Sequence, residues 1–462
     1  MNAIARSSLV TSLRRYQRSW GLWLLLLIAP IGARFMIPRG DGGGTVIAIG
    51  GHLPVMTAAF LGVSLGIIVS TLLLPVGWIY LRSNTNRRQP WQVEEVTAAS
   101  RVAVALGRWA ADAAVLLGVL AALTLAGWIL GWLILPAGGF HPGEIALALW
   151  LVAAPALLGV AALRILFDAI PATRGSFGDF LYFVTWVASL IAPIGADGSA
   201  PGFAVNMYDF PGFLRPLQFG APGGTDNFAI GGVDVLPGYV PLDVMAGLFS
   251  PGYIPSRLAW VAIAVGIAAL AGLVYRPHRA TRRNLVPGRL ARLSALGPPP
   301  AAVRHAPPSR PLGVPFIGLI VAEFRLIGAG RLFKLFAIAV AVTAFVADFR
   351  HAASPAALLL LIFAATAHAG RSEASGLLAL TRTAPQSPWA RRLAFLVAVP
   401  CWALLLALPA IPGHGVAIVP QALGTGAVVA FIAVALATIS RSAFAPRLVL
   451  LIFWYGYLSA RG

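Results

Sequence analysis

Long uninterrupted apolar runs constrain this chain more than any other feature of its sequence. Several of them exceed the roughly 18 residues that mark a helix able to cross a bilayer. Hydrophobic residues make up 59% and charged residues 11% of the 462 positions, and the mean hydropathy is +0.84. Because a soluble globular protein carries about 25% charged residues, this chain has too few charges to coat a soluble surface. We predict an all-α, polytopic membrane protein.

The apolar runs fall into two groups on either side of a segment rich in arginine and proline, 276–314. Its eight arginines and the absence of acid are typical of a solvated linker beside an anionic membrane surface. We therefore predict two pseudo-equivalent halves, 1–275 and 315–462, each beginning with an amphipathic helix. About eleven transmembrane helices are expected, six and then five, at 20–37, 53–81, 108–135, 145–167, 180–196, 256–275, 336–347, 353–369, 393–411, 416–439 and 447–458.

The distribution of charge predicts the orientation. The chain has 34 basic and 15 acidic residues, a net charge of +19. With a cytoplasmic N-terminus and eleven spans, 28 of the 34 basic residues fall on the cytoplasmic side, as the positive-inside rule requires. No basic stretch interleaves aromatic residues, so we predict no nucleic-acid partner. We expect a multi-pass protein of a bacterial inner membrane, with its N-terminus in the cytoplasm and its C-terminus outside.

Two polar segments occupy equivalent places, between the second and third predicted spans of each half. Both place an acid first, then small residues with Thr-Ala, then arginine at the membrane entrance. We predict that each, at 91–101 and 373–385, forms a short cytoplasmic helix whose apolar side docks in a groove of a partner. The residues that carry this pattern are Glu94, Glu95, Thr97 and Arg101 in the first half, and Glu373, Gly376, Leu377, Thr383 and Pro385 in the second.

This layout resembles the ABC-2 type permeases, the membrane subunits of type V ABC exporters. The second half is the closer match, whereas the first half has Ala99 where the family pattern has proline. The second half also reaches only its fifth span at Gly462, one fewer than the family has. The resemblance implies an amphipathic elbow helix in each half, coupling helices at the two polar segments, and a path between the halves lined by spans two and five.

The resemblance also implies that the chemistry of ATP belongs to a separate ATPase, bound in two copies with its Mg-ATP. The residues agree, because the only lysine, Lys334, follows no Gly-x-x-x-x-Gly pattern. We therefore expect a transport subunit rather than an enzyme, with no cofactor and no metal on this chain. A path of apolar and small residues fits a lipid, a peptide or a hydrophobic drug, which leaves the cargo unknown.

Two other functions stay open as alternatives. An ion-coupled secondary transporter would need an acid near the bilayer midplane, whereas the charges at Arg108 and Asp112, and at Arg164 and Asp168, have the spacing of ion pairs at helix ends. A membrane-embedded enzyme could use the outer loop, 197–255. Its aspartates lie among Gly and Pro, where capping of turns is the favoured role: Asp197, Asp209, Asp226, Asp234 and Asp243.

Overall fold

The computed structural model confirms an all-helical membrane-type fold, with four short strands among the residues that it describes. Between Val286 and Pro287 the chain divides into two compact units, numbered here in chain order. The structure describes residues 2–37, 47–85, 99–173, 176–193, 200–221, 228–230, 236–275, 315–346, 349, 353–370, 387–440 and 443–459.

The first unit begins with a helix that lies before its first apolar helix and packs on a later one. This leading helix, α1, contacts the first half of the third apolar helix of the unit. The helices of this unit are α1 (Asn2–Gln17), α2 (Trp20–Met36), α3 (Ala58–Ile68), α4 (Leu74–Thr85), α5 (Arg101–Ile134), α6 (Pro142–Ala169), α7 (Ser176–Ile191), α8 (Phe203–Asn206), α9 (Leu214–Gly220), α10 (Val244–Leu248) and α11 (Tyr253–Val274).

Two small sheets join the segments that connect the apolar helices at the other end of this unit. Strand β1 (Ile47–Ile49) pairs antiparallel with β3 (Phe228–Ile230), and β2 (Leu53–Pro54) pairs parallel with β4 (Tyr239–Val240). The residues of β1 and β2 are buried. The described part of the predicted outer loop therefore folds into short helices and strands, and it is tied to the connection between the first two spans.

The second unit repeats the beginning of the first. Its leading helix, α12, again packs on the third apolar helix that follows it. The helices are α12 (Pro315–Ile327), α13 (Arg331–Val346), α14 (Ser354–His368), α15 (Pro388–Ala407), which continues through a 3-10 turn at Leu408–Ala410 into α16 (Ile411–His414), then α17 (Ile418–Ser440) and α18 (Phe444–Ser459).

Each of the eleven predicted spans falls on a separate apolar helix among the described residues. Six are long and apolar enough to cross a membrane, whereas five are shorter, at 10–17 residues. The six are Ala58–Arg82, Arg101–Ile134, Pro142–Ala169, Tyr253–Val274, Pro388–Gly413 and Ile418–Ser440, and the five are Trp20–Gly32, Leu181–Ile191, Phe333–Phe345, Ser354–His368 and Phe444–Trp454.

Small residues let the helices of the first unit approach each other closely, as membrane helices require when apolar burial alone cannot drive association. On α3, a Cβ built on Gly62 would lie 2.5 Å from the carbonyl oxygen of Ile145 on α6. At Gly66, one turn further, a Cβ would lie 2.7 Å from Val152. The second and fourth spans thus pack through this pair of glycines.

We predict that Gly62→Ala destabilises the protein by about 1–3 kcal/mol, because the added methyl group would overlap backbone that can move only with the whole of α6. Thermal unfolding in detergent, followed by tryptophan fluorescence, measures the change. Gly118→Ala on α5 is the matched control, since nothing lies within 4 Å of its Cβ position. Equal unfolding midpoints for the two variants would contradict the close packing of α3 on α6.

Candidate functional site

Eight of the nine predicted coupling residues lie outside the described residues: Glu94, Glu95, Thr97, Glu373, Gly376, Leu377, Thr383 and Pro385. Arg101 is among the described residues. It is the first residue of α5, because Ser100 caps that helix by accepting a hydrogen bond from the backbone N–H of Ala103. The third span therefore begins seven residues before the predicted boundary at 108.

Polar and aromatic contacts join the second and fifth spans of the first unit. Arg82 Nε lies 2.7 Å from Asp179 Oδ1, which also accepts a hydrogen bond from Trp78 Nε1 at 3.0 Å. The ring of Trp78 stacks on Tyr182 with the centroids 4.0 Å apart, and the Tyr182 hydroxyl donates to the carbonyl of Leu74 at 2.9 Å. We call this set of contacts the second–fifth seam.

A further contact of the second–fifth seam lies where the α-helix of the second span is interrupted. One π-helical turn, Val69–Leu73, separates α3 from α4, and the backbone N–H of Leu74 donates to the carbonyl of Val69. In this geometry the Ser70 carbonyl would take its hydrogen bond from position 75, but Pro75 has no N–H to donate. Trp186 Nε1 on the fifth span supplies the missing donor, at 2.9 Å.

The second unit has an equivalent seam between its own second and fifth spans. Arg447 Nε on α18 donates to the hydroxyl of Thr366 on α14 at 3.0 Å, and its guanidinium lies 5.2 Å from the centroid of the Phe363 ring. Trp454 Nε1 donates to the backbone carbonyl of Pro355 at 2.9 Å. In both units, then, an arginine and the indole of a fifth-span tryptophan hold the second span to the fifth.

A buried ion pair joins the third and fourth spans of the first unit. Arg164 Nη1 lies 2.7 Å from Asp112 Oδ2, and the two residues are 3% and 2% exposed. The hydroxyl of Tyr16, on the leading helix α1, donates to the other carboxylate oxygen at 2.5 Å. The predicted pairs lie within single helices, whereas the contact seen here joins Asp112 to Arg164 across two helices. Arg108 and Asp168 join the same cluster, each acting electrostatically on a member of the pair.

Further contacts fasten each leading helix to its third span. In the first unit, Ser8 Oγ donates to the carbonyl of Val104 at 3.1 Å. In the second unit, Trp402 on α15 stacks on Phe324 of α12 with centroids 4.5 Å apart and donates to its carbonyl at 2.9 Å. Beside this contact, Glu323 and Arg391 are 3.5 Å apart. The leading helices are therefore parts of the packed units rather than loosely attached arms.

The outer segment of the first unit contains a second buried cluster. Asp209 accepts hydrogen bonds from the backbone N–H groups of Gly212 and Arg215, each at 2.9 Å. Burial raises the pKa of the Asp209 carboxyl, and the positive charge of nearby Arg257 acts in the opposite direction. The guanidinium of Arg257, at the start of α11, donates to the carbonyls of Asn206, Asp209 and Phe210. One arginine thus fastens the outer segment to the sixth span.

The capping role predicted for the aspartates of the outer loop is confirmed for the two that are described. Asp209 organises the turn at Gly212, and Asp243 caps α10 by accepting from the backbone N–H of Ala246 at 2.9 Å. Asp197, Asp226 and Asp234 lie outside the described residues. Within the described ranges, no group of three or more His, Cys, Asp and Glu side chains is placed to hold a metal ion.

Sequence reasoning missed Tyr16 and the cross-helix partners for one reason. A spacing of three or four residues predicts partners within one helix only. A buried charge in a membrane span can also pair with a residue of a neighbouring helix. The signal was present, since Asp112 and Arg164 stand in long apolar segments of opposite direction, near the same predicted membrane surface. Pairing such charges between adjacent spans would have found the contact.

No protein-family model, no curated protein and no solved structure matches the chain.

We predict that Asp112→Ala destabilises the protein by about 3–5 kcal/mol, because it leaves the Arg164 guanidinium charged, buried and without its counter-ion. Replacing both partners, Asp112→Leu with Arg164→Met, should restore much of that loss, since no buried charge of the pair then remains. Tyr16→Phe is the matched control, removing one hydrogen bond at a cost of about 1.5–3 kcal/mol. A double variant less stable than Asp112→Ala would show that the pair is not the source of the effect.

We predict that Trp186→Phe destabilises the second span by about 1–3 kcal/mol, because the Ser70 carbonyl loses a donor that Pro75 cannot replace. Thermal unfolding in detergent again measures the effect. Trp23→Phe is the control, since the Trp23 ring is 59% exposed and its indole donates to the carbonyl of Gln17 at the surface of the unit. If both substitutions lower the midpoint equally, the π-helical turn does not depend on the seam.

Proposed function

We propose that this chain is the transmembrane permease subunit of an ATP-driven ABC exporter, which couples to a separate ATPase through its cytoplasmic segments at 91–101 and 373–385. The observation that carries the proposal is the repeat of contacts in the two units. In each unit the leading helix packs on the third span, and hydrogen bonds from an arginine and a tryptophan join the second span to the fifth. Two like units suit a partner that binds in two copies.

The contacts of the first unit also support a route for coupling. The described part of the second span ends at Thr85, and the third span begins at Arg101, so both flank the proposed docking segment. Next to that segment, Arg82 binds Asp179 on the fifth span. On the other flank, α5 is held to the leading helix and the fourth span through Asp112. A displacement of the docking segment would therefore be transmitted to these packed helices.

The ion-coupled secondary transporter is the second candidate, and the buried Asp112–Arg164 pair is the observation that favours it. Ionisable residues inside spans commonly form proton relays. A relay needs a carboxylate that exchanges its proton, however, and Asp112 here is bound both by Arg164 at 2.7 Å and by the Tyr16 hydroxyl. The first proposal therefore has the broader support, because it draws on contacts of both units.

The chain's single cysteine, Cys401, makes a direct test of docking possible. In a Cys401→Ser background, cysteine at Glu95 or at Glu373 should cross-link in native membranes to a protein that azido-ATP photolabels. Leu236→Cys is the matched control, since Leu236 is 54% exposed in the outer segment. Cross-linking to the same photolabelled protein from position 236, or its absence from both 95 and 373, would refute the docking proposal.

The complex isolated with that partner should hydrolyse ATP, and vanadate should inhibit its transport in proteoliposomes. A protonophore should leave transport unchanged. Glu373→Arg should uncouple transport from hydrolysis by placing a positive charge where the resemblance expects an acid. Transport that survives vanadate but stops with the protonophore would identify the secondary transporter instead.

A further inference from the structure

A cavity lies among three helix ends of the first unit, on the membrane side where the leading helix packs. It opens between the start of α5, the end of α6 and the end of α11, and its volume is about 50 Å³. The helices around it are in close contact, since a Cβ on Gly272 would lie 2.5 Å from the Cα of Val102. The cavity is therefore a small feature of packed helices, with room for a group of a few heavy atoms rather than for a whole small molecule.

The cavity has a basic mouth and an apolar floor. Arg101 is exposed at the mouth, where its Nη1 lies 3.4 Å from the carbonyl of Tyr275 and its guanidinium lies 6.0 Å from the centre of that ring. Arg108, only 7% exposed, lines the wall. Buried alanines form the floor, among them Ala105 and Ala271. Such a surface suits a molecule with a charged head and an adjoining apolar part.

The charges around the cavity leave a positive excess. Asp112 is bound by Arg164 at 2.7 Å, so its charge is shared between that arginine and Arg108. Asp168 lines the cavity as well, and it acts on Arg164. With Arg101, the described cluster holds three arginines and two aspartates, a formal excess of one positive charge. An anion in the cavity would balance it.

We propose that this cavity binds a phosphate group, and specifically that of a phospholipid in the leaflet on which the leading helix lies. Planar guanidinium groups suit phosphate oxygens, because they donate parallel hydrogen bonds. Basic cavities between spans are a recurrent way of holding anionic lipid headgroups. Exposed apolar side chains stand beside the cavity at the end of α11, at Leu270, Leu273 and Val274, and they favour a phosphate that carries acyl chains over free phosphate. Occupancy of the site requires neither ATP nor a partner, so it can be tested apart from the transport proposal.

The test measures lipid bound to the delipidated, detergent-purified full chain without nucleotide. Dioleoylphosphatidylglycerol should raise the unfolding midpoint and remain bound in native mass spectrometry. Dioleoylglycerol, which has the same chains without phosphate, should do neither. R101Q should weaken binding about tenfold, as expected for the loss of a charge-assisted hydrogen bond. R101K should keep only part of the affinity, because an ammonium keeps the charge but not the parallel hydrogen bonds. R18Q, which removes an exposed arginine just after the leading helix, should change the affinity by less than about twofold.

A separate arm with inorganic phosphate distinguishes the two sources of the group. Stabilisation by phosphatidylglycerol but not by phosphate, lost in R101Q, supports a lipid site. Stabilisation by inorganic phosphate alone, also lost in R101Q, supports the phosphate-binding chemistry and overturns the choice of a lipid. Equal binding of phosphatidylglycerol and dioleoylglycerol, or equal losses in R101Q and R18Q, overturns the proposal altogether.

Discussion

The first unit depends on the buried ion pair between Asp112 and Arg164. Removing two charges from water costs several kcal/mol, and their mutual attraction compensates only when the geometry is good and the remaining oxygens are satisfied. The fold meets both conditions, with a 2.7 Å contact and a hydroxyl from Tyr16 on the second carboxylate oxygen. Because the three residues lie on the leading helix, the third span and the fourth, one interaction fixes the relative positions of all three.

The second–fifth seams follow from a different constraint, the need to satisfy every backbone polar group in a medium without water. Pro75 breaks the hydrogen-bond ladder of the second span, and the π-helical turn before it leaves the Ser70 carbonyl to the Trp186 indole. The Ser70 carbonyl, left without a donor in its own helix, therefore favours a neighbouring helix that places a hydrogen-bond donor opposite it. In the second unit, Trp454 and Pro355 form a comparable contact.

Most of the fold could be predicted from the sequence, because apolar runs and arginine-rich segments are local signals. The eleven apolar helices in the described part of the chain lie where the runs are. The outer aspartates Asp209 and Asp243 cap turns as their Gly and Pro neighbours indicate. The start of the third span was missed, because helix boundaries depend on one cap, here Ser100. The partners of Asp112 and of Ser70 were missed because they are 52 and 116 residues away, and spacing within one helix does not point to them.

Arg101 belongs to both proposals, and this makes them thermodynamically dependent on each other. It closes the polar segment that the resemblance assigns to the ATPase, and it lies at the mouth of the cavity assigned to a phosphate. One guanidinium that faces a bound phosphate has fewer donors left for a docked partner, so occupancy of one site changes affinity at the other. By linkage the effect is reciprocal: a lipid that weakens docking is itself released by docking, by the same factor. The composition of the membrane would then act directly on the coupling of transport to ATP.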